Sequence, residues 1–383
     1  GGGVQIIDTL VRVAQTGLVV WRGEADLQAV VCTRLLPALA KKPPVCERLV
    51  QLETWQALCA AFARRDPGLS VLPARVYRTL SESLCRGAVG LAASPAAAGY
   101  VSQLLQPLGS EISALAQRPD LSKIADRPDV IHQLGCLLEG LRGGVRATLA
   151  KSQPAIFAVF SGCMEAFLAL LRQYRGNSLV VCMLLKLTAD LVEGHVAFLS
   201  PPDAQRLCQF VLELLKLYSD FNLGKVSVEA ARSLRAERDK EKYKDLRALL
   251  KLLTCLTAKD MIDFGALVPG QPPAHLGGGD AAPGQAVDVA QVVLLGLHIL
   301  IPLISEEMLK FPKLCRQYFR LLSFLLEVYP EKVAGLPADA FSQLMRTLEY
   351  GLTQPDSQVA ENALEALTGI ARFHCKEGQA GRP

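Results

Sequence analysis

Eleven cysteines and five histidines are the side chains of this 383-residue sequence with the greatest capacity for covalent or metal chemistry. A thiolate beside an imidazole is a nucleophile, and both groups bind zinc where three or four converge. The spacing argues against both uses. Cys32, Cys46, Cys59, Cys85, Cys136, Cys163, Cys182, Cys208, Cys255, Cys315 and Cys375 include no C-x-x-C pair. His132, His195, His275, His298 and His374 lie far apart, with no second ligand type at metal spacing. Most of the cysteines stand among leucines at helical intervals, where a free Cys behaves as a small hydrophobe. An odd number dispersed in this way fits a reducing compartment better than a disulfide framework. Phosphate-binding glycine loops, the G-x-S-x-G elbow, H-E-x-x-H and the EF-hand loop are all missing. No metal, no cofactor and no catalysis are therefore expected. An enzyme reading would need a Cys–His or carboxylate pair assembled by the fold from distant positions.

Two sets of charged residues are suited to recognition instead. Glu139 shares a helical face with Gly135, Arg142 and Arg146, and Asp190 and Glu193 share one with Lys186, each on the side opposite an apolar stripe. These three carboxylates could receive a basic side chain of a bound protein. They could equally form a solvated face paired locally, since Lys186 lies four residues before Asp190. On the first reading, charge reversal at Asp190 plus Glu193 weakens a basic partner without unfolding the chain. The second set lies between Lys225 and Lys251, where nine basic residues meet five acidic ones, an excess of +4 equal to that of the whole chain. Arg232, Arg235, Arg238, Lys240, Lys242 and Lys244 form its core. Alternating signs describe either an exposed, salt-bridged helix or a partner-binding loop. Nucleic acid is not expected, because the positive charges are interleaved with acids and lack stacking aromatics.

Helices must position these groups. Half of the residues are hydrophobic but only 6% are aromatic, with leucine and alanine abundant, which suits helix packed on helix. Val130, Ile131, Leu134, Leu137, Leu138, Leu141 and Val145 fall on one stripe of period 3.6. Val180, Val181, Leu184, Thr188, Leu191 and Val192 repeat the pattern, as do Leu207, Phe210, Val211, Leu214, Leu215 and Tyr218. No segment requires a strand. Turn signals such as Lys41-Lys42-Pro43-Pro44, Arg65-Asp66-Pro67-Gly68 and Ser200-Pro201-Pro202-Asp203 punctuate the stripes. The intervals predict about fourteen helices of about 15 to 24 residues, and a pair with its turns makes about 40 to 47, the period of HEAT and armadillo repeats.

The expected architecture is thus all-α, an α-solenoid of HEAT-like helical hairpins. Residues 1–264 carry the repeats, with a charged insertion near 225–245. Residues 265–286, rich in Gly and Pro, read as a flexible insertion. Residues 287–375 return to repeats, and 376–383 are expected to be a disordered tail. The apolar run Val292 to Ile304 is too short to span a bilayer and is broken by Gly296, His298 and Pro302, so a buried helix and no membrane insertion are expected. The chain opens Gly1-Gly2-Gly3 without a methionine and shows no signal peptide, as expected of a piece of a longer intracellular protein. Second helices of successive hairpins line one concave surface of such arrays, where polar residues meet partners.

Several runs are more specific. They are Val292-Val-Leu-Leu-Gly-Leu-His-Ile-Leu-Ile-Pro-Leu-Ile304, Met308-Leu-Lys-Phe-Pro-Lys-Leu-Cys-Arg-Gln-Tyr-Phe319 and Val328-Tyr-Pro-Glu-Lys-Val333. Leu214-Leu-Lys-Leu-Tyr-Ser-Asp-Phe-Asn-Leu-Gly224, Lys259-Asp-Met-Ile-Asp-Phe264 and Tyr100-Val-Ser-Gln-Leu-Leu-Gln-Pro-Leu108 accompany them. Together, over residues 95 to 375, they resemble the C-terminal region of nuclear export receptors of the importin-β (karyopherin) superfamily. The resemblance implies a receptor that binds Ran-GTP and a protein cargo cooperatively, meets nuclear pore proteins, and shuttles between nucleus and cytoplasm. It implies a cargo of the translation factor 5A type, recognised partly through a long modified lysine, for which an acidic pocket with Glu139, Asp190 and Glu193 is suited. Such receptors are far longer, so the chain corresponds to their cargo-side end. A cytosolic HEAT-repeat scaffold or adaptor without Ran dependence is the competing reading of the same rhythm.

Overall fold

The computed structural model describes residues 2–21, 23–223, 243–258, 289–304 and 306–379. Every regular element among them is helical. The chain divides into two compact units, Gly1–His195 and Val196–Pro383.

Unit 1 is a two-layer stack. One layer runs through α1 (Gly2–Val19), α5 (Glu53–Ala63), α8 (Ser94–Ala116) and the pair α11 (Gln153–Gly162) and α12 (Met164–Gln173). The other runs through α2 (Ala25–Val30), α3 (Leu36–Leu39), α7 (Ala74–Arg86), α10 (Pro128–Arg146) and α13 (Ser178–His195). Shorter helices α4 (Pro43–Leu49), α6 (Pro67–Ser70) and α9 (Leu121–Ile124) turn the chain between layers. This is the HEAT-like solenoid arrangement, with each helix packed on the next of its own layer and on the opposite layer.

Local chemistry explains the boundaries. At α6, the Asp66 carboxylate accepts the Gly68 amide at 2.7 Å and Pro67 opens the first turn, as an N-cap followed by proline does. Arg127 and Phe311 are extended before Pro128 and Pro312, which then begin α10 and α18 (Pro312–Val328). Elements shorter than expected have visible causes. Pro37 has no N–H for the carbonyl four residues back, and the preceding turn widens into a π-helical segment, Val31–Leu35, between α2 and α3. The axis bends by 46° between α11 and α12.

Unit 2 contains α14 (Pro201–Leu223), α15 (residues 243–258), α16 (Val289–Leu303), α17 (Glu306–Leu309), α18, α19 (Pro330–Ala334), α20 (Ala338–Leu352) and α21 (Ser357–Gln379). Its main seams join α18 to α21, α20 to α21, and α14 to α16. The helix α21 continues to Gln379, past the expected repeat boundary at 375. The Gly/Pro-rich insertion 265–286, the Lys259–Phe264 run and the charged insertion up to Lys242 lie outside the described residues.

The predicted stripes form the core. In α10 all but Ile131 of the seven stripe residues are buried, and in α13 and α14 every one is. Each leucine so buried contributes about 1.5–3 kcal/mol relative to exposure. Val292, Val293, Leu297, Ile299, Leu300 and Ile301 of α16 are buried in unit 2 while His298 is exposed, and no single helix among the described residues is long and apolar enough to cross a membrane. Nine of the eleven cysteines are buried, Cys255 is half-buried, and Cys375 is exposed; all are free thiols. Burial pushes the thiols of Cys32 and Cys59 up to about 12, and those of Cys136, Cys163 and Cys315 to about 11. They are core residues.

Candidate functional site

The carboxylates Glu139 and Asp190 come together, but in a different setting from the one expected. Neither lies on a solvated face: Glu139 is 6% exposed and Asp190 5%. They sit where α7, α10 and α13 pack side by side, and arginines from α7 and α10 neutralise them. Arg78 NH1 donates to Glu139 Oε2 at 2.8 Å, and Arg142 NH1 to Glu139 Oε1 at 3.0 Å. Arg142 Nε donates to Asp190 Oδ2 at 2.6 Å, and Arg146 NH1 approaches the same oxygen at 3.9 Å. Lys186, half-buried on α13, is not the partner of Asp190 in this ladder. A guanidinium between two helices offers forked donors to both carboxylates, which a lysine on the same helix cannot match.

The ladder continues outward. Arg146 Nε donates to Glu82 Oε2 at 3.1 Å, and Arg86 NH2 to Glu82 Oε1 at 2.6 Å. Among the described residues of the ladder four arginines (Arg78, Arg86, Arg142, Arg146) therefore meet three carboxylates (Glu82, Glu139, Asp190), and Glu193 lines the groove beside them. The carboxylates of the ladder are thus already engaged by arginines. Burial depresses the basicity of both inner arginines. For Arg142 the charges of Asp190 and then Glu139 outweigh it and the pKa rises; for Arg78 burial wins over Glu139 and it falls.

Beyond the buried ladder, an open groove of about 270 Å³ lies at the C-terminal ends of α7, α10 and α13. Glu82, Arg86, Val145, Arg146, Thr148, Asp190, Glu193 and Gly194 line it. Glu193 is exposed, and the Arg146 side chain is 44% exposed. Three helix C-termini add partial negative charge here, so the groove suits a cationic group. Behind Thr148, the imidazole of His195 is fully buried. Gln153 Nε2 lies 3.3 Å from its Nδ1 and Thr148 Oγ1 2.8 Å from its Nε2. The Thr148 hydroxyl donates to Val145 O at 2.6 Å, so the consistent assignment puts the histidine proton on Nε2. Burial pulls its pKa down to about 4, and a second proton would face the Gln153 amide donor.

The expected double charge reversal needs correction. A lysine at Asp190 would set a second buried cation against Arg142, so the charge reversal is better made at Glu193 on the exposed rim. Of the basic set, Arg232, Arg235, Arg238, Lys240 and Lys242 lie outside the described residues, and Lys244 is exposed in the first turn of α15. Sequence reading missed Glu82, Arg78 and the close α7–α10 seam. The signals were present: Glu82 and Arg86 stand four apart, and Gly143-Gly144 interrupts an otherwise leucine-rich helix. A Cβ on Gly143 would lie 2.4 Å from the Arg78 carbonyl oxygen, so only glycine allows this approach. Among the described residues no group of three or more His, Cys, Asp or Glu could hold a metal ion.

Residues 3–381 match the family described as Exportin-4. The chain is 20% identical to Exportin-4 of Dictyostelium discoideum over 372 residues, covering 95% of this chain and 30% of that protein. It is 22% identical to Exportin-7-B of Xenopus laevis over 286 residues, 72% of this chain and 24% of that one. The chain thus spans less than a third of the length of these relatives. A solved circular tandem repeat protein aligns with 99% of this chain and 98% of its own at 11% identity, with a TM-score of 0.26, too loose a superposition to compare shapes. The family and the two curated relatives named here are exportins, which fits the lack of catalytic motifs in the sequence. With the family match running almost from end to end on an all-helical, HEAT-like framework, the chain belongs to the exportin-4 family of the importin-β (karyopherin) class.

Proposed function

We propose that this chain is part of a nuclear export receptor that binds Ran-GTP and a protein cargo together and carries the cargo through nuclear pores to the cytoplasm. The observation that carries the reading is the family match over residues 3–381. The proposed cargo is of the translation factor 5A type, presenting a long basic side chain. That side chain would enter the groove at the ends of α7, α10 and α13, where Glu193 stands at the rim and Asp190, backed by Glu139, lies at the floor. Arg146 is the gatekeeper: it must move from Glu82 and Asp190 for an incoming cation to take its place. The basic stretch Arg232, Arg235, Arg238, Lys240, Lys242 and Lys244 is proposed as a second contact, with acidic partner surface. Cooperativity follows from linkage, because Ran and cargo each shift the helical stack toward the conformation the other prefers.

The test is capture of the protein, produced from its own gene, on immobilised Ran loaded with GTP or GDP. Capture restricted to the GTP form and strengthened by cargo is the expected result. Retention indifferent to the nucleotide would overturn it in favour of a scaffold or adaptor. For the groove, Glu193→Lys should weaken cargo binding while circular dichroism stays unchanged; equal affinity of the folded variant refutes that assignment.

A further inference from the structure

In unit 2, α15 and α18 lie side by side and run in the same direction. At one end the Tyr243 and Phe311 rings meet with centroids 5.0 Å apart, and further along Arg247 Nε donates to Gln317 Oε1 at 3.0 Å. Other seams between neighbouring helices give an arginine a carboxylate: Arg78 meets Glu139, Arg142 meets Asp190 and Arg316 meets Asp356. Between α15 and α18 the acceptor is a neutral amide, which leaves the guanidinium charge uncompensated. Lys313 and Arg320 stand four residues before Gln317 and three after it, on the same face of α18, and both are exposed. Lys244 is exposed at the edge of the seam. Among the described residues none of these four cations forms an ion pair. The two helices together carry six basic residues and two carboxylates; Asp245 is buried and Glu327 lies in the last turn of α18. Of the acids on the neighbouring α21, Asp356 takes Arg316, Glu365 accepts from Ser323, and Glu361 is exposed.

We infer that the α15–α18 seam is a docking surface for an acidic polypeptide segment, whose carboxylates are set against Arg247, Lys313 and Arg320. Charge complementarity names the occupant, and the spread of the cations gives its extent. Lys313 and Arg320 are about 10 Å apart along the helix axis, too far for a single carboxylate or phosphate to bridge, so a run of acidic residues is required. Phe311, 42% exposed, adds an apolar contact at one end. A nucleic acid would need open rings on which to stack its bases. Here they are engaged: Arg247 lies over Tyr243 at 5.7 Å, Arg320 lies over Phe324 at 5.3 Å, and Tyr243 packs on Phe311. The surface shares only Lys244 with the stretch from Arg232 to Lys244, and it depends on neither Ran nor the groove of unit 1.

The test is fluorescence polarisation of a labelled decaglutamate peptide titrated with the protein, produced from its own gene. Saturable binding that weakens as salt is raised is the expected result. Lys313→Gln combined with Arg320→Gln, both at exposed positions, should weaken it by about five-fold at an unchanged unfolding midpoint, and adding Arg247→Gln should weaken it further. The triple variant Arg346→Gln, Arg372→Gln, Lys376→Gln removes the same charge from α20 and α21 and should leave the affinity within about two-fold. A single-stranded oligothymidylate of equal charge should bind less tightly than the peptide. The inference is overturned by a lack of saturable binding, by equal losses in the two triple variants, or by tighter binding of the oligonucleotide.

Discussion

The α7–α10 seam of unit 1 and the α18–α21 seam of unit 2 solve one packing problem with different chemistry. Both bring helices close through glycine. A Cβ on Gly143 would lie 2.4 Å from Arg78 O, and one on Gly369 2.5 Å from Leu326 O. Between α7 and α10, however, charge is buried along the seam, whereas between α18 and α21 it stays at the margins. There Ser323 Oγ donates to Glu365 Oε2 at 2.8 Å, and Arg316 Nε to Asp356 Oδ2 at 2.6 Å with both groups in contact with water. The α18–α21 core is apolar and aromatic, with Leu314, Tyr318, Phe319, Leu322 and Leu326 buried. Apolar contacts tolerate small slips, while a buried ion pair tolerates neither slip nor loss of a partner. Unit 1 is thus fixed in register by charge, and unit 2 by shape.

Breaking the ladder should have the largest effect. Glu139→Ala strands Arg78 and part of Arg142 in the interior and should cost about 3–5 kcal/mol in urea unfolding. A loss near that of an exposed ion pair would show that water, and not Glu139, satisfies these arginines. Trp21 and Trp55 are the protein's two tryptophans, both in unit 1. The indole N–H of the buried Trp55 donates to Tyr100 OH at 3.0 Å, so tryptophan fluorescence reports on unit 1 alone.

Acid should distinguish the units next. His195 is held near pKa 4 against an ordinary 6.5, while His298 and His374 of unit 2 are exposed. Between those values the unfolded chain takes up a proton that the folded unit refuses, so stability falls as pH drops from about 6.5 to about 4. The full effect is about 3 kcal/mol, read as a fluorescence midpoint that declines with acid and loses that slope in His195→Gln. A slope unchanged by His195→Gln would assign it to other groups.

Gly143→Ala should follow at about 1–3 kcal/mol, because overpacking against the Arg78 carbonyl exceeds the helix propensity gained. Gly369→Ala meets a carbonyl at nearly the same distance, and equal losses would confirm that both seams close on glycine. Ser323→Ala should cost no more than about 1 kcal/mol, since Glu365 is exposed and can turn to water. Arg316→Ala should leave the unfolding midpoint unchanged, exposed pairs being screened by solvent.

The core was legible in the sequence because helical burial is periodic: the stripes of α10, α13 and α14 needed only spacing. So was the start of α6, where Asp66-Pro67-Gly68 encodes its own cap. The ladder was not. Arg142 and Asp190 are 48 positions apart, and whether a carboxylate pairs with a neighbour on its helix or an arginine on the next depends on the rotation of both helices. Glu139 reads as solvated because α10 carries a second contact face, toward α7, that hydrophobicity alone does not mark; its glycines do. The break at His195 left no compositional trace, since α13 and α14 are equally leucine-rich on either side.

The thiols buried along both units give the protein a set of internal clocks. A thiol held up to about 11 or 12 by burial reacts with an alkylating agent only when its surroundings open. Cys32, Cys59, Cys136 and Cys163 mark successive positions through unit 1, and Cys208 and Cys315 mark unit 2. Cys375, already exposed, sets the zero of the scale. The order in which these residues become labelled would trace how breathing spreads from hairpin to hairpin, without a single engineered probe.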